Sequence, residues 1–159
     1  MPELLAHDRR SPVPRRLVAA AFLCSVVASS IPAQSRADTM AIRTTALDYV
    51  EGWYEGDSVR MARAVHPMLV KRIVATDSTG QPVLGEMNAA ELVAATAAGY
   101  GRHTPPDRRQ AEVAILDIFN DVATVRTTMS DWIDYMQLAR WNGNWRIVNV
   151  LWALKPGAD

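Results

Sequence analysis

Asp134 and Asn149 interrupt two otherwise apolar, alternating runs, WIDYMQLAR and WRIVNVLW, on either side of Asn142-Gly143. A carboxylate buried on such a face costs several kcal/mol without partners, so it lines a pocket or joins a hydrogen-bond network. In an apolar pocket desolvation would raise its pKa and let it act as a neutral donor, with Asn149 orienting a ligand. In a structural role Asn149, a backbone N–H or a tyrosine would satisfy it instead. His66 stands where a helix is expected to end; its imidazole could serve as a general base or, protonated, close the helix against its dipole. Tyr49 could then join Asp134 in polarising a substrate oxygen. Lys71 and Arg72 alternate on an expected strand: one of them could face a pocket and bind an anionic group, or both could be solvated. Asp117 can pair across its hairpin with Thr124 or Arg126 on the outer face and reads as structural. Two histidines and no cysteine lie beyond the N-terminal segment, with no H-x-x-x-H spacing. No metal site, no phosphate-cradling glycine loop, no G-x-S-x-G and hence no cofactor is expected.

These side chains need a hairpin and helices to position them. Asn142-Gly143 suits a type I′ turn, because both positions accept φ > 0. A two-residue turn there sets Leu138 opposite Ile147, Met136 opposite Asn149 and Asp134 opposite Leu151, with Trp145 on the same face. Ile42, Ala46, Tyr49 and Trp53 recur at helical spacing, beside a stripe of Leu47, Val50 and Tyr54. That helix ends at Gly56, and Asp57 caps a second, short one that Pro67 stops at His66. Two strand-like runs follow, Val70–Thr76 and Pro82–Met87. Asn88 with Glu91 forms an N-capping pair for a third helix, Ala89–Ala98, closed by Gly99. Strands are then expected over Arg109–Phe119 and Val122–Ser130, ahead of the final hairpin.

Helices and strands that do not alternate one for one argue for an α+β fold: three N-terminal-half helices packed on one face of an antiparallel sheet of about six strands. Trp53, Tyr49, Met136 and Ile147 would form the walls of a pocket between them, and Asp134 with Asn149 would read polar edges. The opposite face of the last hairpin, with Tyr135, Ala139, Val148, Val150 and Trp152, is also apolar, so a homodimer through that outer face is expected.

The chain has 159 residues, enough for one domain with an extension. Arg9, Arg10, Arg15 and Arg16 precede an apolar run from Leu17 to about Ala33, followed by small residues around Ser35-Arg36-Ala37. This is the pattern of a secretory signal peptide over residues 1–37, leaving a single domain over 38–159 that is secreted or periplasmic. Serines and Pro32 dilute the run, so no stable membrane insertion of the mature chain is expected. A start at Met40 would instead leave the protein cytoplasmic. Removing 1–37 takes five of 17 basic and two of 17 acidic residues, leaving 12 against 15 and a net charge of about −3. A mildly acidic domain without a basic cluster does not suit nucleic acid.

The order of elements, with Tyr49-Val50…Gly56-Asp57 and Gly143-x-Trp145-Arg146-Ile147, resembles the nuclear transport factor 2-like superfamily. Within it, Asp48-Tyr49-Val50-Glu51-Gly52-Trp53-Tyr54, His66-Pro67…Lys71-Arg72 and Asp134-Tyr135…Leu138 resemble the group labelled putative lumazine-binding. The resemblance covers about residues 40–155. It implies a cone-shaped roll, a strongly bent sheet around the helices with a pocket opening into the cone, and dimerisation through the outer face. Ketosteroid isomerases and polyketide cyclases are related cones. Tyr49 stands at the spacing from Gly-Asp that the isomerases' oxyanion-hole tyrosine has, and Asp134 would match their late-strand acid. Their catalytic aspartate has no counterpart in Val70-Lys71-Arg72-Ile73-Val74, which argues against the same mechanism. The fold hosts enzymes and non-catalytic binders alike. The reading favoured is an exported module for a small apolar or heterocyclic ligand. The alternatives are a cofactor-independent isomerase, lyase or hydrolase using His66, Tyr49 and Asp134, or an interaction domain with a collapsed pocket.

Overall fold

The computed structural model describes residues 36–157, which lie within one compact unit. The expected export segment falls outside the described residues except for Arg36 and Ala37, which open the first helix. That helix, α1 (Arg36–Glu55), buries Ile42, Thr45, Ala46, Tyr49, Val50 and Tyr54 along the expected apolar stripe. Asp38 in its first turn accepts hydrogen bonds from Arg140 Nη2 at 2.5 Å and Trp145 Nε1 at 3.3 Å, fastening the helix start to the last hairpin. These contacts lie upstream of Met40, so the fold uses residues that a start at Met40 would omit. Asp57 caps α2 (Ser58–Ala64) by accepting from the backbone N–H of Arg60 at 2.9 Å.

α2 ends at Ala64, two residues before the expected stop, because Val65 is already extended and opens β1 (Val65–Thr76). The pairing of β1 slips between Val65 and Val70, around Pro67, which has no N–H to donate. β2 (Pro82–Asn88) returns antiparallel to β1. Asn88 then caps α3 (Ala89–Ala97) in a reciprocal box: its side chain accepts from Glu91 N at 3.0 Å, and Glu91 accepts from Asn88 N at 2.8 Å. Two short 3₁₀ turns, Tyr100–His103 and Pro106–Arg108, occupy the connection to β3 (Glu112–Phe119), which begins three residues later than expected. β4 (Val122–Thr128), β5 (Trp132–Trp141) and β6 (Asn144–Leu154) complete one curved sheet in the order β2-β1-β6-β5-β4-β3.

The α+β class, the three helices and the six strands are as expected, with one difference in pairing. β1 lies parallel to β6, so the sheet is mixed rather than wholly antiparallel. A second correction concerns register. Asn142 (φ 48°) and Gly143 (φ 76°) make the tight turn, and Leu138 does face Ile147. Past that pair a one-residue bulge at Val148 sets Gln137 opposite Asn149, Met136 opposite Val150 and Asp134 opposite Trp152. Because strand side chains alternate, this slip carries Asn149 to the outer face and turns Val150 and Trp152 inward. Val150 is fully buried in the core with Met136, Leu138 and Ile147.

Candidate functional site

α1 places Tyr49 and Trp53 one turn apart on the face that looks into the sheet's concave side, and Lys71 projects from β1 on the same side. With Trp132 from β5 and Trp152 from β6, they wall an apolar cavity of about 120 Å³. Met87 of β2, Leu92 of α3 and Met129 complete the lining. The three indoles stand edge to face in sequence, Trp53 to Trp132 and Trp132 to Trp152, each with ring centroids 6.0 Å apart. That geometry suits aromatic quadrupoles better than face-to-face stacking.

Beneath the cavity lies a buried polar cluster. Lys71 Nζ donates to the Tyr49 hydroxyl at 2.7 Å and to Asp134 Oδ1. The other carboxylate oxygen of Asp134 accepts from Trp132 Nε1 at 3.1 Å and from Thr127 Oγ1 at 3.4 Å. Asp134 is wholly inaccessible to solvent, so these partners replace its hydration. Burial pulls the Lys71 ammonium below its ordinary pKa, and the neighbouring Asp134 charge opposes that shift. Burial, and then the Asp134 charge, push the Tyr49 hydroxyl well above the usual phenol range, keeping it neutral. The Lys71 ammonium also sits 4.8 Å from the centre of the Trp152 ring and 5.4 Å from that of Tyr49.

Trp53 supplies a polar atom without a partner. Its Nε1 is buried and donates to nothing in the protein. An indole N–H buried without an acceptor carries an uncompensated desolvation cost, and its residue is one of the cavity's walls. The ring is held from behind by Gly101: a Cβ on that glycine would fall 2.1 Å from the Trp53 carbonyl oxygen and 2.5 Å from Cδ1. The close approach therefore requires glycine there.

Of the residues singled out from the sequence, Tyr49, Trp53 and Lys71 line the cavity, and Asp134 underlies it through Lys71. Arg72, the neighbour of Lys71, faces outward and pairs with Glu86 at 2.9 Å. Met136 and Ile147 are not walls; both are fully buried in the core. Asn149 is displaced by the bulge to the outer face, where it donates to Gln137 Oε1 at 2.5 Å and accepts from Arg72 at 3.3 Å. His66 does not reach the cavity. Its Nδ1 accepts from the Met68 backbone N–H at 3.1 Å and its ring packs edge to face on Trp141 at 4.9 Å. The expected grouping of His66, Tyr49 and Asp134 is therefore not assembled. Asp117 is exposed and pairs with Thr124 as expected. Trp132 and Trp152, with Met87, Leu92 and Met129, are the lining residues that sequence reasoning missed. Trp132 carried a usable signal, its position two residues before Asp134 on the same strand face. Among the described residues no cluster of three or more His, Cys, Asp or Glu could hold a metal ion.

A family described as putative lumazine-binding matches residues 37–153, nearly all of the described fold. The chain belongs to that family. Solved structures described as nuclear transport factor 2-like proteins share the fold of this member of the family. One of unknown function from Shewanella baltica OS155 is 21% identical, covers 76% of this chain and 96% of its own, and superposes with a TM-score of 0.59. Another of unknown function, from Methylobacillus flagellatus KT, is 19% identical over 76% of this chain and 94% of its own, also at 0.59. A third, from Novosphingobium aromaticivorans, has a cystatin-like fold and is 17% identical over 76% and 84%, at 0.55. At these identities the likeness concerns the fold. No curated protein matches the chain.

Proposed function

We propose that this domain binds a small, flat, ring-containing ligand in the cavity between α1 and the concave face of the sheet. The observation that carries the proposal is an apolar, tryptophan-walled void beside a buried indole N–H with no partner. A dry apolar cavity of roughly 150 Å³ takes up benzene, so this one of about 120 Å³ has room for no more than a single aromatic ring, with any further substituents extending outward. The family's description supports the reading, since lumazine is itself a flat heterocycle. An open cavity speaks against an interaction domain with a collapsed interior.

Export and dimerisation belong to the same proposal. The basic start and apolar run ahead of Arg36 support a secreted or periplasmic location. No helix among the described residues is long and apolar enough to cross a membrane. On the sheet's convex side Tyr135 and Leu151 pair across β5 and β6 and are 44% and 47% exposed, which supports a homodimer through that face. Cofactor-independent acid–base catalysis is the second reading. It is favoured by the hydrogen-bonded chain Tyr49–Lys71–Asp134, and His66 has no part in it.

Because three tryptophans line the cavity, intrinsic fluorescence reports its occupancy. Titration with lumazine and other one- and two-ring heterocycles is expected to shift the emission saturably and raise the melting temperature. A series in which no compound does either would refute the binding reading.

A further inference from the structure

We infer that the ligand carries two fused rings, one lodged in the cavity and the other in the adjoining groove over Gly85, past the side chain of Met87. The inference rests on the ring-binding reading above and adds the shape of the ligand and the two residues that set it.

A groove of about 170 Å³ lies against the cavity of about 120 Å³. Lys71, Met87 and Trp152 line both, so their side chains form the wall between the two voids. Beyond that wall the groove continues along Ile73 of β1 and Gly85 of β2, which lie opposite each other in the ladder. A dry cavity near 150 Å³ takes up benzene, so each void alone has room for about one ring. Glu86 also borders the groove, and its carboxylate is paired with Arg72 Nε at 2.9 Å, so the groove asks for no charge on the ligand.

Two of the three wall residues are pinned. Lys71 donates to Tyr49 and Asp134, and Trp152 packs edge to face on Trp132 at 6.0 Å beneath the Lys71 ammonium. Met87 is different: an unbranched thioether with three rotatable bonds, partly buried, on the edge strand of the sheet. A change of its rotamer joins the two voids without breaking a hydrogen bond.

Gly85 is an independent sign of an occupant. It lies inside β2 without a positive φ, so no turn or left-handed conformation requires glycine there. Strands favour β-branched and aromatic residues, and a glycine within one often marks the close approach of a ligand. Residues two apart share a strand face, so a side chain here would project beside Met87 into the groove. Its Cβ would stand 3.1 Å from Ile73 Cγ2. The missing side chain is the space that the second ring takes.

The test compares pyridine with quinoline by titration calorimetry at slightly alkaline pH, where both are neutral and differ by one fused ring. Wild-type protein is expected to bind quinoline at least about tenfold more tightly, the gain that burying a second ring supplies. Gly85→Val fills the groove with a residue that strands favour, and Met87→Ile replaces the flexible wall with a stiff, β-branched one. Each should weaken quinoline by about tenfold and leave pyridine unchanged, with the circular dichroism of wild type retained. Quinoline binding no tighter than pyridine, equal losses for both compounds, or a quinoline affinity indifferent to the substitutions would overturn the two-ring inference and leave single-ring binding intact. If neither compound binds the wild type, the ring-binding reading itself falls.

Discussion

Lys71 of β1 and Asp134 of β5 form a buried ion pair across 63 residues of chain, with strand β6 running between their own strands. The lysine side chain spans β6 on the concave face, over Trp152, which lies directly opposite Asp134 in the ladder. The pair therefore joins two strands that share no backbone hydrogen bonds, under the floor of the cavity.

Breaking this pair from one side should be costly. Lys71→Met leaves Asp134 fully buried with only two neutral donors, and we expect a loss of about 3–5 kcal/mol in urea unfolding. Replacing both members, Lys71→Met with Asp134→Asn, keeps an acceptor for Trp132 and removes the stranded charge, so the double variant should recover at least half of that loss. A double variant as unstable as the sum of the two singles would show that the pair is not coupled.

A second ion cluster gives the fold its acid sensitivity. Asp48 on α1 accepts from Arg60 Nε at 2.9 Å and from Arg63 Nε and Nη2 at 2.9 and 3.0 Å, tying α1 to α2. Burial pushes the Asp48 carboxyl upward, but the hydrogen bonds and charges of Arg63 and Arg60 outweigh it and hold it below its ordinary value of 3.8. The unfolded chain thus takes up this proton at higher pH than the folded one. The stabilisation is complete above 3.8 and is lost as pH falls through the depressed folded value. Asp48→Asn should cost roughly 1–2 kcal/mol at neutral pH and flatten the acid limb of the stability profile. Urea midpoints at pH 7 and pH 3 for the two proteins measure both effects.

The bulge at Val148 separates two neighbouring substitutions. Val150 is wholly buried, so Val150→Asp places a carboxylate in the core without a partner and should unfold the domain. Leu151 is 47% exposed on the convex face, so Leu151→Asp should leave a normal circular dichroism spectrum and disrupt the proposed dimer. Sedimentation of wild type and Leu151→Asp checks the second part: a dimer that tolerates the charge places the interface elsewhere.

What was legible in the sequence was local. The α1 stripe, the Asn88–Glu91 box and the Asn142-Gly143 turn each depend on residues within one or two turns of chain, so their chemistry is written in consecutive letters. Tyr49 and Trp53 could be placed on the inward stripe for the same reason. Asp134 could be identified as a buried acid because its neighbours on alternate positions are apolar.

The tertiary structure decided everything that depends on which strand lies beside which. The parallel pairing of β1 with β6 sets Lys71 facing Asp134, and nothing near Lys71 in the sequence distinguishes it from the outward-facing Arg72 except strand phase. One extra residue at Val148 reverses the faces of Asn149, Val150 and Trp152, because strand periodicity is two and a single insertion inverts it. That inversion moved Asn149 out of the site and brought Trp152 into it. Local sequence determined the elements; the long-range packing of a curved sheet against α1 selected the register, and with it the residues that surround the cavity.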